Sequence, residues 1–229
     1  MRAASSADPL VAVSAGTRGA MVALGFIPFL HLVATVAPVI LAAGGRASWR
    51  MAWLSLAILF LVPPLLVRAA TLVRPLPAGR VDLDSSSFLY WWFSAQCQVV
   101  FTRLPFLEEL IRLVPGLYSM WLRLWGARIG SLVYWSPGVA ILDRPLVRVG
   151  SRVVFGVGAR LNPHVIAPDA QGNALHVAPI TIGDDVLVGG YSLLLPGCEI
   201  AAGEITPPFR SVHAFSRFEG GRRCSPTGD

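Results

Sequence analysis

Residues 182–200 read IGDDVL-VGGYSL-LLPGCE-I, and the spacing within them decides the fold. Ile182, Val188, Leu194 and Ile200 stand six apart. The same interval separates Ile129, Trp135 and Ile141, and again Val149, Phe155 and Leu161. Four residues after most of these comes a second small or apolar residue: Val133, Val139, Val153, Ala159, Val165, Val186, Ser192 and Cys198. A helix repeats at about 3.6 residues and a strand at about 2, so a sustained period of six fits neither. It predicts a β-solenoid, in which each hexamer gives one short strand and a turn and three hexamers close one coil. The leading aliphatic residue points into the core. Gly follows it in IGSLVY, VGSRVV, FGVGAR, IGDDVL and VGGYSL, where a tight turn resists a Cβ.

The rhythm slips twice. Eight residues separate Ile141 from Val149, a two-residue insertion around DRPLV. Twenty-one separate Leu161 from Ile182, and this second break, LNPHVIAPDAQGNALHVAPIT, holds His164 and His176. Loops that leave a rigid solenoid tend to carry function.

Upstream of the repeat the chain changes character. Mean hydropathy over the 229 residues is +0.61 and only 14% are charged, too apolar for an ordinary soluble domain. Ala20 to Ala43 carries no formal charge and contains twelve Val, Leu, Ile or Phe residues. As a helix it spans roughly 36 Å, enough for a bilayer core. A second apolar run covers 51–73, where Pro63 and Pro64 are expected to kink or break the helix. The short connector GGRASWR makes the pair a hairpin. Arg2, Arg18, Arg68, Arg74 and Arg80 flank one side and Arg46 and Arg50 the other, which places both chain ends in the cytoplasm. His31, alone within the first span, is expected to be a neutral imidazole bonded to the neighbouring helix.

Residues 74–126 are expected to hold a polar linker and amphipathic helices lying in the membrane interface, Trp and Tyr at headgroup level. The alternative is a helical collar packed on the solenoid. Boundaries follow: a polar segment 1–19, two spans at 20–43 and 51–73, linker and interfacial helices 74–126, a β-helix 127–206 and an irregular tail 207–229. The net charge is +6, but the Arg residues are scattered without a basic, aromatic-interleaved face, so nucleic acid is not an expected partner. Three widely spaced Cys (97, 198, 224) fit a reducing compartment rather than a disulfide framework.

The stretch from Leu124 to Ile205 resembles the hexapeptide-repeat acyltransferases, whose fold is a left-handed parallel β-helix. PITIGDDVLVGGYSLLLPGCEI (179–200) is similar to the segment after the active-site loop of that family's O-acetyltransferases. The lead-in LRLWGARIGSLVYW resembles the membrane-associated members, the capsule-type acetyltransferases and the terminal domain of certain peptide-synthetase-like proteins. The resemblance implies a membrane-anchored acyltransferase. Such an enzyme moves an acetyl or longer acyl group from a CoA or carrier-protein thioester to a hydroxyl or amine of a lipid-linked or membrane-proximal acceptor. It also implies a homotrimer with sites between subunits, at the inner or plasma membrane with the β-helix in the cytoplasm, and no metal.

By the same resemblance a loop His takes the acceptor's proton. His164 lies at the family's distance before Pro179 and is the expected base; His176 is the substitute, and Asn162 or Asp169 would orient base or acceptor. The donor would run past the turn Gly189-Gly190, with Leu187 where relatives often carry Trp. Two features depart from the pattern. Glu204 falls where a small core residue is expected, and the repeat reads as stopping after Thr206. That ending leaves open a non-catalytic membrane scaffold. A metal lyase of the γ-class carbonic anhydrase type would need three His, and the spacing of His164, His176 and His213 does not match one.

Overall fold

The computed structural model describes residues 13–43 and 49–224. Arg2, most of the expected N-terminal polar segment and most of the hairpin connector with Arg46 lie outside the described residues. Helix α1 (Ala15–Leu24) begins where the Ser14 side chain accepts from the Thr17 N–H. After a break at Gly25-Phe26 comes α2 (Ile27–Ala43), and then α3 (Trp49–Val73) packs against it. Two segments, Ala15–Leu41 and Trp49–Val73, are long and apolar enough to cross a membrane.

Pro63 and Pro64 neither break nor end α3, contrary to expectation. Each proline removes the N–H that would bond to the carbonyl four residues earlier, orphaning Leu59 O and Phe60 O. Both carbonyls find side-chain donors instead. His31 Nε2 lies 3.2 Å from Leu59 O, and Trp121 Nε1 donates to Phe60 O at 2.8 Å. The isolated histidine of the first apolar segment is therefore bonded to the neighbouring helix, as expected, in the tautomer that carries its proton on Nε2.

The segment read as a plain linker supplies a strand, β1 (Gly79–Asp82). Three helices follow: α4 (Ser86–Arg103), capped by the Ser85 hydroxyl, α5 (Phe106–Arg112) and α6 (Leu117–Trp125). They form a collar that shares one apolar core with the solenoid, running from Val67, Phe101 and Trp125 through Ile129 to Phe218. Glu108 and Arg112 of α5 are turned inward. Glu108 pairs with Arg144 and Arg112, and Arg144, 1% exposed, lies over the rings of Phe101, Trp121 and Trp125. The opposite surface of α5 and α6 leaves Phe106, Leu110, Leu113, Val114 and Met120 exposed.

The solenoid has three parallel faces. Strands β2 (Arg128–Ile129), β3 (Tyr134–Trp135) and β4 (Ala140–Ile141) make the first coil. A 3-10 turn at Arg144–Leu146 absorbs the two-residue insertion, and β5 (Val147–Val149), β6 (Val154–Phe155) and β7 (Arg160–Leu161) stack on the first coil in register. The second break is a hairpin of β8 (His164–Asp169) and β9 (Gly172–Val177), with β1 antiparallel on its open edge. The third coil is β10 (Ile180–Ile182), β11 (Leu187–Val188) and β12 (Leu193–Leu194). Ile129, Val149, Ile182, Ile200 and Phe218 stack at one core position, and Ile141, Leu161, Leu194 and Val212 at another, all buried. The Trp135 and Phe155 rings stack between coils at 4.4 Å.

The repeat does not stop after Thr206. β13 (Glu199–Ile200), β14 (Ile205–Thr206) and β15 (Ser211–Val212) complete a fourth coil, and β16 (Arg217–Glu219) opens a fifth. The beat survives as Ile200, Thr206, Val212 and Phe218, but its usual marks are missing. Thr206 is a polar core residue, its buried hydroxyl accepting from the Gly189 N–H. Ala201 and Pro207 stand where glycine follows Ile182 and Val188, and Phe209 and Phe215 occupy left-handed corners (φ +59° and +51°), the first in register with Gly138, Gly158 and Tyr191 and the second with Gly197. Strand β17 (Arg222–Cys224) folds back antiparallel on β16 and covers the end of the solenoid. Glu204, out of place as a core residue, holds this cap: its carboxylate accepts from the N–H groups of Gly220 and Gly221.

Candidate functional site

Each break in the six-residue rhythm delivers one partner of a dyad. The shorter break lengthens the first coil by two residues and turns Asp143 inward, leaving it 1% exposed. The longer one starts β8 with His164. The Asp143 carboxylate meets His164 Nδ1 through Oδ2, while its Oδ1 accepts from Trp91 Nε1 at 3.0 Å. The Trp91 ring also packs edge-on against the imidazole, with centroids 4.7 Å apart. Trp91 comes from α4, so the collar, the insertion and the hairpin meet at one histidine.

With Nδ1–H donated to Asp143, the free lone pair of His164 is on Nε2, the arrangement of a general base. Burial disfavours the imidazolium, but the Asp143 charge and hydrogen bond outweigh it and raise the pKa above its ordinary value of 6.5. The side chain stays 23% exposed. It opens into a cleft of about 500 Å³ lined by Ala95, Val99, Thr102 and Arg103 of α4 together with Leu142 and Asp143. A second cleft of about 380 Å³ shares Thr102 and Leu142 with it and contains Asn162. Asn162 lines this second cleft and not the one that holds His164.

The structure does not bring His176 to the His164 cleft either. Val165 faces His176 across the β8–β9 ladder, so His176 and His164 project from opposite faces of the hairpin. His176 Nε2 lies 3.5 Å from Asp169, whose carboxylate accepts from Arg80 Nε at 2.7 Å. Asp169 thus ties the hairpin tip to β1 and does not orient His164.

Gly189, Gly190 and Leu187 do not line the His164 cleft. A Cβ on Gly189 would sit 2.5 Å from the Pro207 main chain, and one on Gly190 would sit 3.2 Å from Val157 O. Close stacking of coils accounts for both glycines. Leu187 lies on the outer face of its sheet in a registered row with Tyr134, Val154 and Ile205, all four exposed.

Asp143 and Trp91 are the functional residues missed in the sequence. An acid inside the two-residue insertion was the available signal for Asp143; Trp91 carried none, being one of several aromatics in its helix. Among the described residues, no three His, Cys, Asp or Glu side chains cluster as a metal site.

Comparison with protein-family models and with curated proteins finds no match. Among solved structures, a hexapeptide-repeat acetyltransferase of Vibrio cholerae with acetyl-CoA is similar at 17% identity. It covers 57% of this chain and 87% of its own, with a TM-score of 0.35. A galactoside acetyltransferase bound to coenzyme A matches at 12% identity over 56% of this chain and 80% of its own, with a TM-score of 0.32. A maltose O-acetyltransferase of Clostridium difficile matches at 15% identity over 55% and 84%, with a TM-score of 0.30.

Proposed function

We propose that this chain is a membrane-anchored acyltransferase of the left-handed β-helix type, carrying an acetyl or other acyl group from a CoA or carrier-protein thioester to a hydroxyl or amine of a membrane-proximal acceptor. The observation that carries the reading is His164, paired through Nδ1 with the buried Asp143 and open through Nε2 to a cleft. His164 Nε2 takes the acceptor's proton as its oxygen or nitrogen attacks the thioester carbonyl. The tetrahedral intermediate collapses, the C–S bond breaks, and the thiolate leaves with the proton from the imidazolium. Asp143 stabilises the imidazolium formed on the way. Asn162, which lines the second cleft, would orient the acceptor.

The two apolar segments support anchoring, and Phe106, Leu110, Leu113, Val114 and Met120 on the outer surface of the collar suit the membrane interface. Arg18 lies near the start of the first segment, Arg68 near the end of the second and Arg74 just after it, in keeping with a cytoplasmic β-helix at the inner or plasma membrane. The exposed row Tyr134–Val154–Leu187–Ile205 supports assembly with further copies of the chain, as in a homotrimer. The scaffold reading rested on an unfinished solenoid, and the complete fourth coil with its cap removes that support.

Membranes containing the protein are expected to cleave acetyl-CoA or a longer acyl-CoA and transfer the acyl group, and His164→Ala to slow this by about 10²–10⁴-fold. Undiminished transfer by His164→Ala overturns the assignment of the base.

A further inference from the structure

An open pocket of about 600 Å³ is lined by apolar side chains: Val13, Met21 and Val22 at α1, Leu83, Phe88 and Trp92 at the start of α4, and Ile166 of β8, with Val22 and Ile166 themselves exposed. Its size is that of a small-molecule site. Two walls run from it to His164. On α4, Phe88, Trp92, Ala95 and Val99 follow the spacing of one helix face; the first two line the apolar cavity and the last two the His164 cleft. On β8, His164 and Ile166 are two residues apart and share a face, about 7 Å from each other. Phe88 packs against both Trp91, which contacts His164, and Trp92.

We infer that this cavity receives the acyl chain of the thioester donor, so that the enzyme prefers acyl groups longer than acetyl; the inference rests on the proposed acyl transfer at His164. A thioester carbonyl placed for attack beside His164 can send its alkyl chain along the Ala95–Trp92 wall into a space with no polar side chain to desolvate. The donor fits this space better than the acceptor does. A lipid-linked acceptor already has its hydrocarbon in the bilayer and gains little from a protein pocket. The chain of an acyl-CoA arrives through water and gains the full effect of burial.

The test uses full-length protein in nanodiscs with acetyl-, butanoyl-, hexanoyl- and octanoyl-CoA, measuring kcat/KM for thioester cleavage and affinity by equilibrium dialysis. Full burial tightens binding roughly fourfold per methylene, so partial burial should still give at least about a tenfold rise from butanoyl- to octanoyl-CoA. Ile166→Trp fills the cavity from β8 and Val22→Trp fills it from α1; either should lower the octanoyl-to-acetyl ratio by about tenfold or more. A flat or falling series in the parent protein overturns the inference. So does a rise that survives both filling variants. Crosslinking of a photoreactive phospholipid tail to the cavity, with a flat CoA series, assigns it to a lipid acceptor and overturns it too. If no thioester is cleaved, the proposed transfer fails, while the dialysis series still tests the cavity separately.

Discussion

Asp143 and Arg144, adjacent in the chain, face two different sites. Asp143 holds the His164 imidazole and the Trp91 indole, while Arg144 enters the collar to pair with Glu108 and to bond Gln98 Oε1 through its main-chain N–H at 2.8 Å. A single 3-10 turn thus joins the His164–Asp143 pair to the helices that lead back to the apolar segments. The position of Asp143 depends on the anchoring of its neighbour.

The first prediction concerns pH. The pKa of His164 is raised above 6.5 in the folded chain, net of burial, by Asp143. The neutral base accumulates only above that raised value, so the transfer rate should climb with pH on a limb centred above 6.5. Asp143→Asn removes the charge and leaves the burial, so the limb should move to lower pH as the rate falls. Stability follows the opposite sign: the pair's contribution is full below 6.5 and lost as pH rises through the folded value. The unfolding-temperature gap between parent and Asp143→Asn should therefore narrow on that rise.

Replacing each histidine separates the two candidates. Loss of a general base typically costs about 10²–10⁴-fold, expected for His164→Ala. His176→Ala should leave the transfer rate near that of the parent, because His176 faces away from the cleft. Rates measured at one saturating donor concentration decide between them.

The carbonyl freed by Pro64 gives a thermodynamic cycle. Trp121→Phe strands the Phe60 carbonyl and should cost about 1–3 kcal/mol. In a Pro64→Ala background the restored N–H takes that carbonyl, and the same Trp121→Phe change should cost much less. Equal costs in the two backgrounds, measured by denaturant unfolding, would show that the indole bond does not dock α3 on the collar.

Arg144 and Glu108 should behave as a buried pair. Removing one charge, as in Glu108→Gln or Arg144→Met, is expected to cost about 3–5 kcal/mol because the other remains buried without its partner. The double variant should cost less than the two single losses added together. Thermal unfolding of all four proteins reads the coupling.

Gly189→Ala tests what that glycine is for. Its Cβ would meet the Pro207 main chain at 2.5 Å, so the fourth coil must shift away from the third. Overpacking of this kind costs about 1–3 kcal/mol, and hydrogen exchange at β14 and β15 should accelerate. A weakened donor affinity with unchanged stability would instead assign the turn to the donor.

The solenoid was legible because a coil must place a core side chain every sixth residue, and Ile, Val, Leu and Phe at those positions declare themselves. Where the core residue is Thr206 and Ala201 and Pro207 replace the glycine after the leading residue, the geometry persists but the code does not, and β15 and β16 were lost to reading. His164 was legible from its place in the off-phase loop. Asp143 was not, since no local pattern shows which residue of an insertion turns inward. β1 was hidden for a different reason: GRVD has no alternation of its own and becomes a strand only through the open edge of β9. The inward turn of Glu108 was equally invisible, because its partner Arg144 lies thirty-six residues away.

The pairing of β1 with β9 also sets an order in time. Gly79–Asp82 pairs with Ala174–Val177, a stretch made more than ninety residues later. At ordinary rates of synthesis β1 waits on the order of 5–20 s for that partner. By then the apolar helices, the collar and the first two coils have left the ribosome. Only afterwards can the hairpin close on β1. The pairing that closes the hairpin on β1 thus follows the synthesis of the helices that would hold the protein to a bilayer.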